Sequence, residues 1–387
     1  MRLLRRAVMV GVVLVAAAAR PPLDAHKPIT SPYTFAEDVL PILRERCATC
    51  HVAGGPAPMP LTTADETVPW GESIRLELIA RHMPPWSAMS GGRRLRHAEG
   101  VTARELNVLL TWVTGGTPPG EKAPEAVSPP RAEWALGPPD VTLQLPEVTV
   151  AADQGEVTRE FVLALEAGAR RPLRAVDVRP GTRSLVRSAR VFLRSAAAPA
   201  GEGSERMLAL WVPGDTPVPL PAGAGFEVPA NAELVAQVRY KKTWEHEREV
   251  MTDRSTLGLY FAADGETPVA AWEIAGAALE SSSTLTDVAG GVKAGRSLTA
   301  DTRAVAVYPT AAAAGATITV DVTPPDGRSQ RVIEFTPQPG WERRYWLDGP
   351  MEWPRGSRLD VSVTFASRPP GPPPVGPLVV VNTISRR

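Results

Sequence analysis

Cysteine is close to absent: the 387 residues hold two, Cys47 and Cys50. Three positions apart, they close no loop long enough to restrain the unfolded chain, which excludes a disulfide framework. Histidine is nearly as scarce, five in all, with His246 alone after His97. Two imidazole-rich metal sites in the C-terminal part would need several more. Excess charge is missing as well, since Lys plus Arg and Asp plus Glu each total 42. No large field therefore draws the chain to nucleic acid or to anionic lipid. The apolar run from Ala7 to Ala19 has thirteen residues, well short of the ~20 that span a bilayer.

That run has another use. Arg2, Arg5 and Arg6 precede it, and the small residues Ala17 and Ala19 suit cleavage. Together they read as a secretory signal over residues 1–19, with a mature chain beginning near Arg20 and no stable membrane span after cleavage. Export, to a periplasm or its equivalent, is the expectation. With 43% hydrophobic residues over this length, the remainder has material for more than one core.

Between residues 31 and 120 the pattern is helical and interrupted by loops. Thr34 and Glu37 have capping-box spacing, followed by Phe35, Val39, Ile42 and Leu43 on one face, with Pro41 set to bend or restart the helix. A second helix is predicted over Gly71 to Arg81, with Ile74, Leu78 and Ile79 inward and Pro84-Pro85 beyond its end. A third starts at the Thr102/Glu105 capping box, carries Leu106, Leu109, Leu110 and Val113, and stops at Gly115-Gly116. Residues 121–139 hold five prolines and no periodicity, the composition of a linker. After it come short, often alternating runs such as Val141–Leu145, Ser188–Leu193, Leu234–Tyr240, Leu257–Phe261, Ile318–Val322 and Leu359–Phe365, separated by Pro/Gly/Asp turns. That is a β-sandwich pattern, and the length suits two sandwiches, over 140–262 and 263–387. The expected fold class is thus multidomain, an all-α unit followed by an all-β double β-sandwich region.

The densest chemistry lies in Cys47-Ala-Thr-Cys50-His51. In C-x-x-C-H two thiols can form thioethers to the vinyl groups of a haem while the adjacent histidine ligates its iron. A thioredoxin-like dithiol would need a βαβ context, whereas an amphipathic helix leads into Cys47. A structural zinc would need two more ligands from His26, His82 or His97, and no second pair stands at a usual spacing. A disulfide across so short a loop would stabilise little. One covalent haem c on Cys47, Cys50 and His51 is the expectation.

Over about ninety residues the chain resembles class I cytochrome c domains. The likeness rests on C-A-T-C-H with the helix before it, on Arg81-His-Met-Pro-Pro-Trp86, and on a closing helix bearing Trp112. It implies Met83 as the sixth iron ligand, with Met59, Met89 and His82 as alternatives, and electron transfer as the role. A thioether favours reduced iron, and the two prolines stiffen the loop that presents it. Trp86 and Trp112 either pack on the porphyrin or serve the core. Arg93, Arg94, Arg96 and His97 form either a solvated loop or a docking patch for an acidic redox partner.

From Val141 onward the chain resembles the copper type II, ascorbate-dependent monooxygenases, the peptidylglycine and dopamine hydroxylases, which pair two β-sandwiches with one copper each. The matching segments are Leu185–Leu193, Ala236–Tyr240, Asp253–Phe261 and Tyr308–Gly315. The ligands do not match. Arg187-Ser188 stands for a His-His pair, Arg239 for a histidine before tyrosine, and Thr310-Ala311-Ala312 for His-x-His, while no methionine follows Met351. A guanidinium is permanently protonated and replaces no imidazole. His246, flanked by Glu245 and Glu247, reads as a solvated loop residue. These residues together predict a periplasmic monohaem electron carrier without copper, whose C-terminal scaffold serves docking or structure and whose partner is an unknown periplasmic redox protein. The competing expectation is an oxidoreductase in which the haem region feeds electrons to a monooxygenase in the β region; a third is an interaction module whose haem serves folding or sensing.

Overall fold

The computed structural model describes residues 30–86, 88–89, 92–97, 100–121, 134–165, 171–195, 205–222, 224–229, 231–262, 269–274, 286–288, 291–309, 316–365 and 379–385. The signal segment, most of the 121–139 linker, His26 and Thr310-Ala311-Ala312 lie outside them.

The expected architecture, an all-α cytochrome c domain at 31–120 followed by an all-β double β-sandwich region, is not what the chain forms. Strand accounts for 41% of the chain and helix for 16%, so the molecule is a β-sandwich-rich fold carrying short helices, and no all-α cytochrome c domain is evident. The sequence supplies the reason. Pro41, Pro69, Pro84 and Pro85 interrupt the helical pattern, and residues 88–89 and 92–97 are recruited by strands far along the chain. Met89 N donates to Glu334 O (2.8 Å), Arg93 N to Val332 O (3.0 Å) and Arg96 N to Trp346 O (2.8 Å). Bridges Ala88–Phe335 and Leu95–Leu347 complete the pairing.

The helical pieces are α1 (Leu40–Arg46), α2 (Ala64–Thr67), α3 (Gly71–Ile79) and α4 (Ala103–Thr114). Ahead of α1 the chain makes a π-turn, Phe35–Val39, and restarts with Pro41 in the first turn of α1, where a missing N–H costs nothing. The π-turn lengthens the spacing by one residue, so the Thr34/Glu37 capping box does not form and the Asp38 carboxylate accepts from Thr34 N instead, at 2.9 Å. The Thr102/Glu105 box forms as the spacing predicts, and Thr63/Glu66 makes another at α2. Arg81, at φ 59, follows the end of α3. These pieces pack around Phe35, Leu40, Leu43, Leu78, Leu109 and Trp112, with the Phe35 and Trp112 rings 5.9 Å apart. On α3 Leu78 faces this cluster while Ile79 is 54% exposed, so the inward face is narrower than the periodicity suggests.

A four-stranded antiparallel sheet in the order Glu156–Ala164, Ala232–Lys241, Val186–Ser195, Glu205–Trp211 packs with a three-stranded one, Val141–Gln144, Thr256–Phe261, Leu173–Arg179. Their shared core includes Val176, Val191, Ala236 and Leu257. A five-stranded sheet, Tyr345–Trp353, Thr302–Pro309, Val379–Ser385, Val269–Ile274, Ala224–Gly225, borrows its last strand from the preceding half through a parallel pairing. The other five-stranded sheet runs Thr286–Val288, Gly291–Ser297, Arg358–Phe365, Ala316–Thr323, Gln330–Phe335. Along Ala316–Thr323 burial alternates residue by residue, the period-two signature of a strand with one face on a core. That core holds Ile318, Phe335, Tyr345 and Trp353, and Trp86, Ala88 and Leu95 pack onto it from the helical region. Among the described residues no helix is long and apolar enough to cross a membrane.

The pairing of 88–97 is testable by native-state hydrogen exchange. The amides of Met89, Arg93 and Arg96 should exchange at least ~100-fold more slowly than in an unstructured chain, because each is bonded across a sheet edge. Exchange of all three at the unstructured rate would place the segment off the sheet.

Candidate haem-attachment site

Cys47 caps α1, and the motif continues the helical turn: Cys47 N donates to Leu43 O (2.9 Å), and Cys50 N and His51 N both donate to Cys47 O (3.0 and 2.9 Å). One turn therefore gathers both thiols and the imidazole. The following loop folds back, with Ala57 N on Cys50 O (3.2 Å) and Leu61 N on His51 O (3.0 Å). Gly55 is required there, since a Cβ would stand 2.3 Å from Cys50 O.

His51 is 8% exposed. Its Nδ1 lies 3.1 Å from Met59 O, and in the Nδ1–H tautomer it donates to that carbonyl and keeps the Nε2 lone pair available. Burial lowers its pKa below the ordinary imidazole value, with the Met59 bond opposing. A neutral imidazole oriented through its other nitrogen is what an iron ligand needs. Cys47 packs against the helical core. Burial pushes its thiol up to about 12, and the neighbouring Cys50 adds to the rise.

The β body closes over the motif from one side. Cys50 Sγ lies 3.9 Å from Pro213 O, and Arg183 Nη2 donates to Thr49 O at 3.4 Å. Gly214 adopts φ +95, and a Cβ there would come 2.9 Å from the Thr49 methyl. Arg187 also comes to this side. Pairing slips between Val186 and Ser188, so Arg187 is the extra residue of a β-bulge, a device that re-aims a side chain. It is 8% exposed, donates from Nη1 to Ser184 O at 2.9 Å, and senses the charge of Cys50, Arg239 and Glu156. Burial brings its pKa down to about 10, with Cys50 the largest opposing influence. Arg239, within the strand Ala232–Lys241, donates from Nε to Glu156 Oε1 at 2.6 Å. Arg187 and Arg239 thus lie close enough to feel each other's charge, and Arg187 also feels that of Cys50. The strand register alone would have shown Arg187 and Arg239 as near neighbours; the approach of Cys50 is purely tertiary.

The remaining candidates are dispersed. Met83 lies on the loop after α3, 38% exposed, and its amide donates to Glu77 O (3.4 Å). His82 is exposed and its Nδ1 is 3.1 Å from Glu77 Oε2. Met59 packs against the helical core, and the Met89 sulfur accepts from Arg81 Nη1 at 3.4 Å. Trp112 is core, with Nε1 donating to Pro118 O, whereas Trp86 stands edge-on to Tyr345 at 5.2 Å. His246 ends a short 3-10 turn, its Nδ1 2.9 Å from Glu249 Oε2. Among the described residues no three or more His, Cys, Asp or Glu converge as a metal-binding group.

The residues fit a covalently attached haem in their donor chemistry: two thiols on one turn, and a neutral imidazole with its second nitrogen tied. Leu76 on α3 (52% exposed), Ile79 and Met83 add uncovered apolar side chains to the same helical region. The buried thiol generates a prediction for chain produced without haem-attachment enzymes. At pH 8 a thiol with pKa about 12 is ionised in roughly one molecule in ten thousand, against about one in four for an ordinary thiol. Iodoacetamide should label Cys47 at least ~100-fold more slowly in the folded chain than in urea, read by peptide mass spectrometry; equal rates would show that the thiol is not buried.

No family model matches the chain, and no curated protein does. Solved structures with some likeness include PNGF-II, 8% identical over 61% of this chain and 60% of that one with a TM-score of 0.26. Another is the VP2 subviral particle of infectious bursal disease virus, 12% identical over 63% and 71% with a TM-score of 0.17. The chain spans 60% of the length of the PNGF-II chain, and likenesses this weak carry no functional argument.

Proposed function

We propose that this chain is an exported monohaem electron-transfer protein, with haem c linked through Cys47 and Cys50 and His51 as an axial ligand. The observation that carries the reading is the single turn that presents both thiols beside a buried, neutral imidazole whose Nδ1 is bonded to Met59 O. Haem supplies reversible one-electron exchange between ferrous and ferric iron. The chain's own residues do the rest. Met59 O fixes the ring orientation of His51, and the Pro213–Gly214 loop lies against Thr49 and Cys50 from the β side. Arg187 holds a buried positive charge near Cys50, which favours the state of lower charge at the motif and so the reduced form.

Met83 is the proposed sixth ligand, supported by its place before Pro84 and Pro85 and by its partly exposed side chain. The partner is a periplasmic redox protein; export is supported by the basic, apolar and small-residue sequence of the first nineteen residues. The C-terminal scaffold works without copper in this reading. Its support is that Arg187 and Arg239 occupy the imidazole positions and already donate to Ser184 O and Glu156.

Protein exported through a host with haem-attachment enzymes should stain for haem on a denaturing gel and contain one iron per chain without stoichiometric copper. The stain should vanish in Cys47→Ser/Cys50→Ser; colour extracted by acidic organic solvent, or two coppers per chain, would contradict the reading. Met83→Ala should remove the sulfur-to-iron charge-transfer band and lower the reduction potential. If His82→Ala has those effects and Met83→Ala none, the sixth ligand is His82.

A further inference from the structure

A second site lies beside the residues that flank the loop touching Cys50. A cavity of about 70 Å³ opens where the 86–97 segment, the strands Leu173–Arg179 and Glu205–Trp211, and the start of Tyr345–Trp353 with the two residues before it come together. Its charged lining is one-sided: Arg96, Arg174, Arg343 and Arg344 against the single carboxylate of Asp215. Leaving His97 aside, this is four guanidinium groups to one carboxylate, in a chain whose total is zero.

Buried charge of one sign is costly unless it is paired. Arg343, 4% exposed, has Asp215 at 3.3 Å. Arg344 is 9% exposed and has no carboxylate at hand: Nη1 and Nη2 donate to Leu208 O (2.8 Å) and Met207 O (3.0 Å), while its buried Nε has no hydrogen-bond partner among the described residues. Its guanidinium is packed between Tyr308 (5.0 Å) and Trp346 (5.6 Å), which holds its plane without neutralising it. Arg174 donates from Nη2 to Leu220 O at 3.3 Å, and its buried Nε also lacks a partner. Two guanidinium groups with no carboxylate partner among the described residues, lining one small cavity, give it the charge that an anion with oxygen acceptors needs.

Size narrows the class. A cavity of ~150 Å³ holds benzene, so about 70 Å³ holds a carboxylate or a phosphate with little attached to it. We propose that this cavity binds a small oxyanion, a monocarboxylate or inorganic phosphate, between Arg174, Arg344 and Arg96. The site stands independently of haem, since every residue of it lies outside the Cys47–His51 motif. It also gives the 93–97 basic segment a role different from docking, because Arg96 lines the cavity.

The test is calorimetric titration of the full chain, at fixed ionic strength, with sodium acetate and separately with sodium phosphate, alongside the shift in melting temperature. At least one anion should bind saturably with a submillimolar Kd and raise the melting temperature as a native-state ligand must. Acetate alone identifies a carboxylate site, phosphate alone a phosphate site, and both together a general oxyanion site. Arg344→Gln and Arg174→Gln should each weaken binding at least tenfold. Because Arg344 is buried, the exposed Arg96→Gln serves as the variant that leaves the core intact, with a loss of about threefold or more. Saturation by neither anion up to 10 mM on the approximate scale of weak sites, or unchanged affinity in both Arg96→Gln and Arg174→Gln, overturns the proposal.

Discussion

The backbone pairing of residues 88–97 with the strands around 332–347 is the constraint on which the rest depends. Three amides reach three carbonyls more than two hundred positions away, and the ring of Trp86 lodges against Tyr345 with Arg343 over it at 5.2 Å. Each bond is modest by itself, about 1 kcal/mol net. Their geometric effect is larger. They hold the helical pieces against the β body, bring the C-x-x-C-H turn beside the Pro213–Gly214 loop, and set Trp86, Arg96 and His97 along the arginine-lined cavity. A helical unit that folded apart from the strands would have neither contact.

Burial at the motif has a consequence for maturation. A thiol whose pKa is pushed up to about 12 is a poor nucleophile at any physiological pH. Under the haem reading, Cys47 would react more readily in a chain where this region is still open. The same burial keeps His51 neutral and places Arg187 in a low-dielectric neighbourhood, where its charge is felt more strongly than on the surface. Charge is used in the same way at the second cavity, where guanidinium groups are stacked on aromatic rings and held by backbone carbonyls while carboxylates are kept to one.

Much of the local structure was legible. The Thr102/Glu105 box and the Gly115-Gly116 stop bound α4 as their spacing requires, because capping is decided within four residues. Strands fall where short alternating runs lie between turn residues, as at Ala316–Thr323 and Arg358–Phe365. The Thr34 cap was misplaced by one residue because a π-turn lengthens the helix spacing, and periodicity assigned Ile79 inward although no partner element covers it. The larger misreading was the fold class. Residues 83–97 carry prolines and glycines that read as loop, and an unpaired extended segment looks the same in sequence whether it meets solvent or the edge of a sheet.

By itself the sequence determined the C-x-x-C-H turn, the scarcity of imidazoles after His97 and the neutral overall charge, since each is a matter of residue type and spacing along one stretch of chain. Only the tertiary structure decided that Arg187 stands on a bulge beside Cys50, that His51 is oriented by Met59 O, and that four arginines from three distant segments border one cavity. The physical reason is the range of the interactions. Capping, turn formation and strand alternation are settled by near neighbours, whereas charge placement and sheet-edge pairing depend on which distant backbone groups still lack partners once the local elements have formed.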